Sequence, residues 1–224
     1  MNPCASPEMR SDEKDGRWIS QHKHNLSETK EREPDVLLIG DSIIHHLQLR
    51  PVWAELYEPL HCLNFGISGD KTQNVLWRIQ NGELDNIRPK VVVVHVGTNN
   101  VDDSAENVAD GIAGIVKEIR TRLPEAYIIV VELLPRGQYP NPLRDKNHQV
   151  NKLLKLKLTG VPKVETVNGD SGLVLPDGTI SRHDMPDFLH LSDAGYRKAF
   201  EGVHDLLQQL LYENEEDLEF TISE

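Results

Sequence analysis

The sequence predicts an α/β fold: a single doubly wound domain on a five-stranded parallel sheet, with helices on both faces. Three observations predict it. Five short apolar runs alternate with stretches of helical periodicity. One run, Val91-Val92-Val93-Val94-His95-Val96, is almost continuously β-branched, as a central strand buried on both faces must be. The runs empty into turns rich in glycine and polar residues, which a parallel sheet gathers along one rim.

Residues 1 to about 33 are polar and charged, an N-terminal arm in which Trp18, Ile19 and Leu26 mark a helix expected to dock loosely. The domain spans 34–212. Pro34 closes the arm, Val36 to Ile39 form the first strand, and Gly40 ends it in a tight turn. Asp41 and Ser42 are good N-cap types, and Ile43, Ile44 and Leu47 then recur at helical spacing. Pro51 suits the first position of a further helical turn running to Tyr57. A second strand, His61 to Phe65, empties into Gly66-Ile67-Ser68-Gly69-Asp70, and a helix follows over Thr72 to Gln80. The central strand empties into Gly97-Thr98-Asn99-Asn100. Ser104 caps a helix to about Leu123 with an apolar stripe from Val108 to Ile119. Tyr127 to Leu134 is the fourth strand, Pro142 to Leu158 a helix, and Val164 to Val167 a weak fifth strand. A long irregular loop, 168 to 191, precedes the last helix, Asp193 to Leu211; loops of this length are often functional. An acidic tail, 213–224, is expected to be disordered.

The formal net charge is -12, from 24 basic and 36 acidic side chains, so the surface repels phosphate backbones and anionic membranes. No apolar run reaches the length of a membrane span, and the N-terminus lacks the regions of a signal peptide. Cys4 and Cys62 alone make no disulfide framework, and a reducing cytoplasm is the expected compartment. The adjacent His45 and His46 cannot share a helix face, which makes them a poor metal pair.

Four polar segments converge on the predicted rim: Ser42, Gly69, Asn99, and Asp187-Phe188-Leu189-His190. Each has an ordinary explanation. Taken alone, Ser42 reads better as a helix cap and Gly69 as plain turn geometry, Asn99 reads equally well as an Asx-turn residue, and Asp187 can serve as a cap for a short turn. Ten histidines make an Asp-x-x-His match easy by chance. Together, however, they supply what acyl transfer needs. Ser42 is the candidate nucleophile and His190 its base. Asp187, three residues earlier, can reach the imidazole. The peptide N–H groups of Ser42 and Gly69 and the Asn99 amide are the candidate oxyanion donors. Asp41 reads as a structural brace of the turn. A nucleotide-binding reading fails, because the first strand ends in Gly-Asp-Ser and not in a Gly-x-Gly-x-x-Gly phosphate turn.

Gly40-Asp41-Ser42, Gly69, Gly97-Thr98-Asn99 and Asp187-x-x-His190 resemble the four signature blocks of the SGNH (GDSL-type) hydrolases. Longer runs, among them Leu63-Asn64-Phe65-Gly66-Ile67, Asn81-Gly82-Glu83-Leu84, Leu133-Leu134-Pro135-Arg136-Gly137 and His183-Asp184-Met185, resemble one branch, the catalytic α subunits of platelet-activating factor acetylhydrolase type IB. The resemblance covers about residues 17 to 211. It implies a flavodoxin-like SGNH-hydrolase domain and a serine esterase acting on the sn-2 acetyl group of platelet-activating factor or a similar short-acyl ester. It implies a small acyl pocket lined by Ile43, Thr98 and Leu189, and neither metal nor cofactor. It also implies a homodimer, or a heterodimer with a related α subunit, bound to a WD-repeat lissencephaly-type regulator of dynein. Ser68 and Lys71 around Gly69-Asp70, His95 in the central strand, and His45-His46 depart from the branch's pattern without removing a catalytic group. The competing expectation is a dimeric scaffold for the WD-repeat partner, with little or no physiological hydrolysis.

Overall fold

The computed structural model describes residues 2–11 and 15–222, with side chains through residue 213. Its centre is a sheet of β1 (Val36–Gly40), β2 (Cys62–Gly66), β3 (Val91–His95), β4 (Tyr127–Val131) and β5 (Val164–Val167), all parallel and in the order β2-β1-β3-β4-β5. Six α-helices connect or flank the strands: α1 (Arg17–Glu31), α2 (Ser42–Leu47), α3 (Thr72–Arg78), α4 (Ala105–Arg122), α5 (Pro142–Leu158) and α6 (Asp193–Ile222). The chain leaves β1 toward β2 on one side and returns to β3 on the other. The strand order therefore reverses at β1, and a crevice opens at the carboxyl ends of β1 and β3.

The period-2 alternation of the strands sorts the core into two layers. Leu37, Ile39, Val92, Val94, Ile128 and Val130 pack against α3, α4 and α5 through Val75, Ile112, Ile115, Val150 and Leu154. Val36, Leu38, Val91, Val93, Ile129 and Val131 pack against α2 and α6 through Ile44, Leu47, Tyr196, Phe200 and Val203. Each such side chain, taken wholly out of water, contributes about 1.5–3 kcal/mol.

Several boundaries differ from the sequence reading. β2 runs one residue later than expected. β4 stops at Val131, because Asn151 of α5 takes over the backbone of Leu133, accepting from its N–H at 2.8 Å and donating to its carbonyl at 2.9 Å. The tail expected to be disordered from 213 continues α6 as helical backbone to Ile222; Glu and Leu are strong helix formers, and no Gly or Pro stops it.

The arm is the larger correction. Trp18 is 1% exposed and Cys4 wholly buried, so the arm does not dock loosely. The Cys4 carbonyl accepts from Thr72 Oγ1 at 2.9 Å, the Glu8 N–H donates to the Gln73 carbonyl at 3.1 Å, and Asn74 Nδ2 returns a bond to the Glu8 carbonyl at 3.0 Å. A charged, weakly periodic segment is thus tied down by hydrogen bonds that its hydrophobic pattern does not announce.

Gly40 ends β1 where no side chain fits: an added Cβ would lie 2.0 Å from the His95 carbonyl oxygen and 2.8 Å from Ile44 Cγ1. Gly40→Ala is expected to cost about 3 kcal/mol or more, as forced overpacking does, read as a lower urea midpoint. A loss below about 0.5 kcal/mol, the range of surface substitutions, would show that the turn relaxes freely.

Candidate active site

Ser42 is the first residue of α2, immediately after the β1 turn. Asp41 caps that helix: its Oδ1 accepts from the Ile43 N–H at 2.9 Å, which leaves the nucleophile candidate at N1 and not at the cap. The Ser42 N–H, lying in the first turn, has no intrahelical acceptor. Tyr196 of α6 locks the same turn by donating to the Ile43 carbonyl at 2.7 Å.

The loop 168–191 brings its last residues over Ser42. Asp187 Oδ1 accepts from the backbone N–H groups of Leu189 (3.0 Å) and His190 (2.7 Å), an Asx-type turn that needs Phe188 in the left-handed region at φ 60. The other carboxylate oxygen accepts from His190 Nδ1 at 2.6 Å, and His190 Nε2 lies 3.1 Å from Ser42 Oγ. Burial alone would push Asp187 up, but the bonds from the His190 ring and the two backbone N–H groups outweigh it and hold the carboxyl at about 2. The structure therefore brings Ser42, His190 and Asp187 into one hydrogen-bonded line across 148 residues of sequence.

Gly69 has φ +84, open to glycine and strained for other residues. Asn99 Nδ2 donates to the Asp70 carbonyl at 2.9 Å, which joins the turn after β3 to the turn after β2 and leaves its second N–H for another acceptor. Of the residues expected to line an acyl pocket, Ile43 is almost wholly buried and Leu189 is half-buried beside His190. Thr98 is buried, and Arg136 donates to its carbonyl (2.8 Å) and its hydroxyl (3.1 Å).

Three features escaped the sequence reading. His46, one helical turn beyond Ser42, sets its ring 5.1 Å from that of His190; the i, i+4 spacing was the available signal. The Trp18 indole N–H donates to Asp70 Oδ1 at 2.6 Å, and only the isolated aromatic pointed to it. Arg78 is fully buried, donating through Nε to Asp70 Oδ2 (2.8 Å), to Glu83, and to the Gly40 carbonyl (3.2 Å). No periodicity identifies a wholly buried arginine.

Burial pushes Asp70 up to about 6 against the pull of Arg78 and of the Trp18 N–H. Asp41 is pushed further, to about 7: burial raises it, the Ile43 N–H resists, and the Asp70 charge adds to the rise. Its Oδ2 has no hydrogen-bond partner among the described residues. A carboxyl raised this way favours the fold while protonated. That contribution is whole below about pH 4, the ordinary carboxyl range, and is lost as pH rises through about 7. Asp41→Asn, which keeps the acceptor for Ile43, should match wild type at pH 4. At pH 8 it should be the more stable, by at most about 4 kcal/mol. Urea midpoints at the two pH values check this, and a variant weaker than wild type at pH 8 would contradict it.

Comparisons place this chain in a family. Residues 38–198 match the model of the GDSL-like Lipase/Acylhydrolase family. The chain is 52% identical over 223 residues to "Platelet-activating factor acetylhydrolase IB subunit alpha2" of Bos taurus, covering 99% of this chain and 97% of that protein. It is 49% identical to the "Platelet-activating factor acetylhydrolase IB subunit beta homolog" of Drosophila melanogaster, covering 100% of both. Among solved structures, a GDSL-like lipase from Bacteroides thetaiotaomicron superposes with a TM-score of 0.71 at 17% identity, covering 84% of this chain and 97% of that one, a likeness of fold. With a family match over most of its length and half its residues shared with acetylhydrolase subunits over nearly all of it, the chain belongs to the GDSL-like lipase/acylhydrolase family, in the branch of the platelet-activating factor acetylhydrolase IB subunits.

Proposed function

We propose that the protein is a serine esterase that hydrolyses short acyl esters, acetyl esters first, such as the sn-2 acetyl group of platelet-activating factor. The observation that carries this is the line Asp187–His190–Ser42, with contacts of 2.6 and 3.1 Å at the carboxyl rim of β1. Neutral His190 accepts the Ser42 proton through Nε2 as Oγ attacks the ester carbonyl. Asp187 keeps Nδ1 protonated and the ring oriented. The negative charge that develops on the carbonyl oxygen is met by the N–H groups of Ser42 and Gly69 and the free N–H of Asn99. His190 then protonates the departing alcohol. Water, deprotonated in its turn by His190, releases the acid and restores Ser42. Ile43, Thr98 and Leu189 close the acyl side. The preference for acetyl, and for a phospholipid alcohol, rests on the names of the relatives.

Ser42→Ala and His190→Gln should each lower kcat by roughly 10³-fold or more, as loss of a triad member does. A serine-directed fluorophosphonate should label wild type and leave Ser42→Ala unlabelled. Wild type that neither labels nor releases acetate from a short ester ends the enzyme reading.

Acidification should reduce kcat/KM, because a protonated imidazole cannot act as base. Asp187, held at about 2, stays charged over the range from pH 4 to 8 and does not contribute to that fall. A rate flat over that range would remove His190 from the role.

A second reading has its own support, since the relatives are named as subunits. We infer that the chain works as a cytoplasmic homodimer, or as a heterodimer with a related α subunit, docked on a WD-repeat regulatory partner. Co-purification of that partner equally with wild type and Ser42→Ala would separate assembly from chemistry; its absence with both would count against the scaffold.

A further inference from the structure

We propose that Trp18 is a positioning residue for the oxyanion hole, acting through Asp70 on the Gly69 turn and on the Asn99 amide. The inference rests on the esterase reading above and adds a component outside the triad. Asp70 is the point on which both turns hang. It follows Gly69 by one peptide bond, and its carbonyl accepts Asn99 Nδ2 at 2.9 Å. Where Asp70 sits therefore decides where two of the three proposed donors point.

The Asp70 carboxylate is fully buried and held from two sides. Arg78 Nε holds Oδ2 at 2.8 Å, and the Trp18 indole N–H holds Oδ1 at 2.6 Å. The guanidinium comes from the domain core, the indole from the arm, and each carboxylate oxygen has its own tie. Loss of the indole N–H strips Oδ1 of that donor inside the protein, an expensive state that a movement of the turn relieves. The donor is itself fixed: Trp18 lies 5.5 Å from the Trp77 ring of α3 and is 1% exposed. A second strut from the same arm supports this reading, for Arg10 Nη1 donates to the Ser68 carbonyl at 2.8 Å, on the other side of Gly69.

Trp18→Phe keeps a ring against Trp77 and deletes the donor. With an acetyl ester as probe, kcat is expected to fall ~10-fold while KM stays within about twofold, the split that loss of transition-state binding produces. A double-mutant cycle with Asn99→Ala separates positioning from packing. If Trp18 acts through the donors, its substitution should cost less than ~3-fold in the Asn99→Ala background, whereas equal losses in both backgrounds mark an independent packing effect. If Trp18→Phe unfolds, the isostere β-(3-benzothienyl)alanine at position 18 replaces N–H by sulfur with the ring shape kept, and the same split and cycle are read on it. Unchanged kcat in an active wild-type background, or equal losses in the cycle, overturns the positioning role alone. Wild type that neither hydrolyses the ester nor takes fluorophosphonate overturns the esterase reading and this inference with it.

Discussion

The buried guanidinium of Arg78 is the constraint on which the rest of the molecule depends. It reaches the end of β1 through the Gly40 carbonyl, the turn after β2 through Asp70, and the arm through Glu83, which accepts from His22 Nδ1 at 2.9 Å and Asn25 Nδ2 at 3.1 Å. Three segments distant in sequence are thereby fixed to one planar donor, whose fork suits carboxylates better than a lysine would. A buried ion pair of this kind adds little net stability over apolar packing, yet breaking it by removing one partner costs about 3–5 kcal/mol. Its contribution is best understood as specificity: it makes one arrangement of the two turns far less costly than any other.

That arrangement concentrates acids beside the candidate nucleophile, Ser42. Asp41 and Asp70 are buried within the same corner, both pushed up toward neutrality, while Asp187, reached by solvent, is held low by its hydrogen bonds. The contrast follows from geometry. Asp187 receives two backbone N–H groups and an imidazole, whereas one oxygen of Asp41 receives no hydrogen bond from the described residues. Electrostatic cost gathered at one site, and not spread over the surface, is what functional corners of proteins commonly show.

The fold was legible because its signals are local. The β-branched run of β3, the glycine that ends β1 and the helical stripe of α4 each determine their own element without knowledge of a partner. The candidate site was legible for a related reason: a parallel sheet delivers its strand ends to one rim, so Ser42, Gly69 and Asn99 could be placed together from order alone. What stayed hidden depends on contacts across the fold. Trp18 and Cys4 sit in a segment whose charge and weak periodicity resemble a loose arm, and hydrogen bonds to Asp70, Thr72 and Gln73, invisible to pattern, bind it down. β4 is shorter than its apolar run because Asn151, a polar residue on α5, substitutes for a neighbouring strand. His46 joined His190 only once the long loop had a path.

That loop poses the remaining physical problem, since the candidate nucleophile, Ser42, sits on a rigid corner and the candidate base, His190, on a long segment that must be held against it. Asp184 answers it. Its buried carboxylate pairs with Lys198 of α6 at 2.7 Å, and its carbonyl accepts from the Ser192 N–H at 2.8 Å. Gly195 brings the helix so near that an added Cβ would lie 2.2 Å from the same carbonyl oxygen. On the other side, the Phe188 carbonyl accepts from the Gly137 N–H at 2.8 Å, and the Arg182 guanidinium covers the Phe188 ring at 4.6 Å. The Asp187-x-x-His190 turn is therefore pinned at both flanks to elements that also carry the core, α6 and the segment after β4. Left-handed backbone at Phe188, unfavourable by itself, persists because these anchors leave it no alternative. The long loop supplies chain enough to cross the rim, and the anchors remove the freedom that such length would otherwise bring.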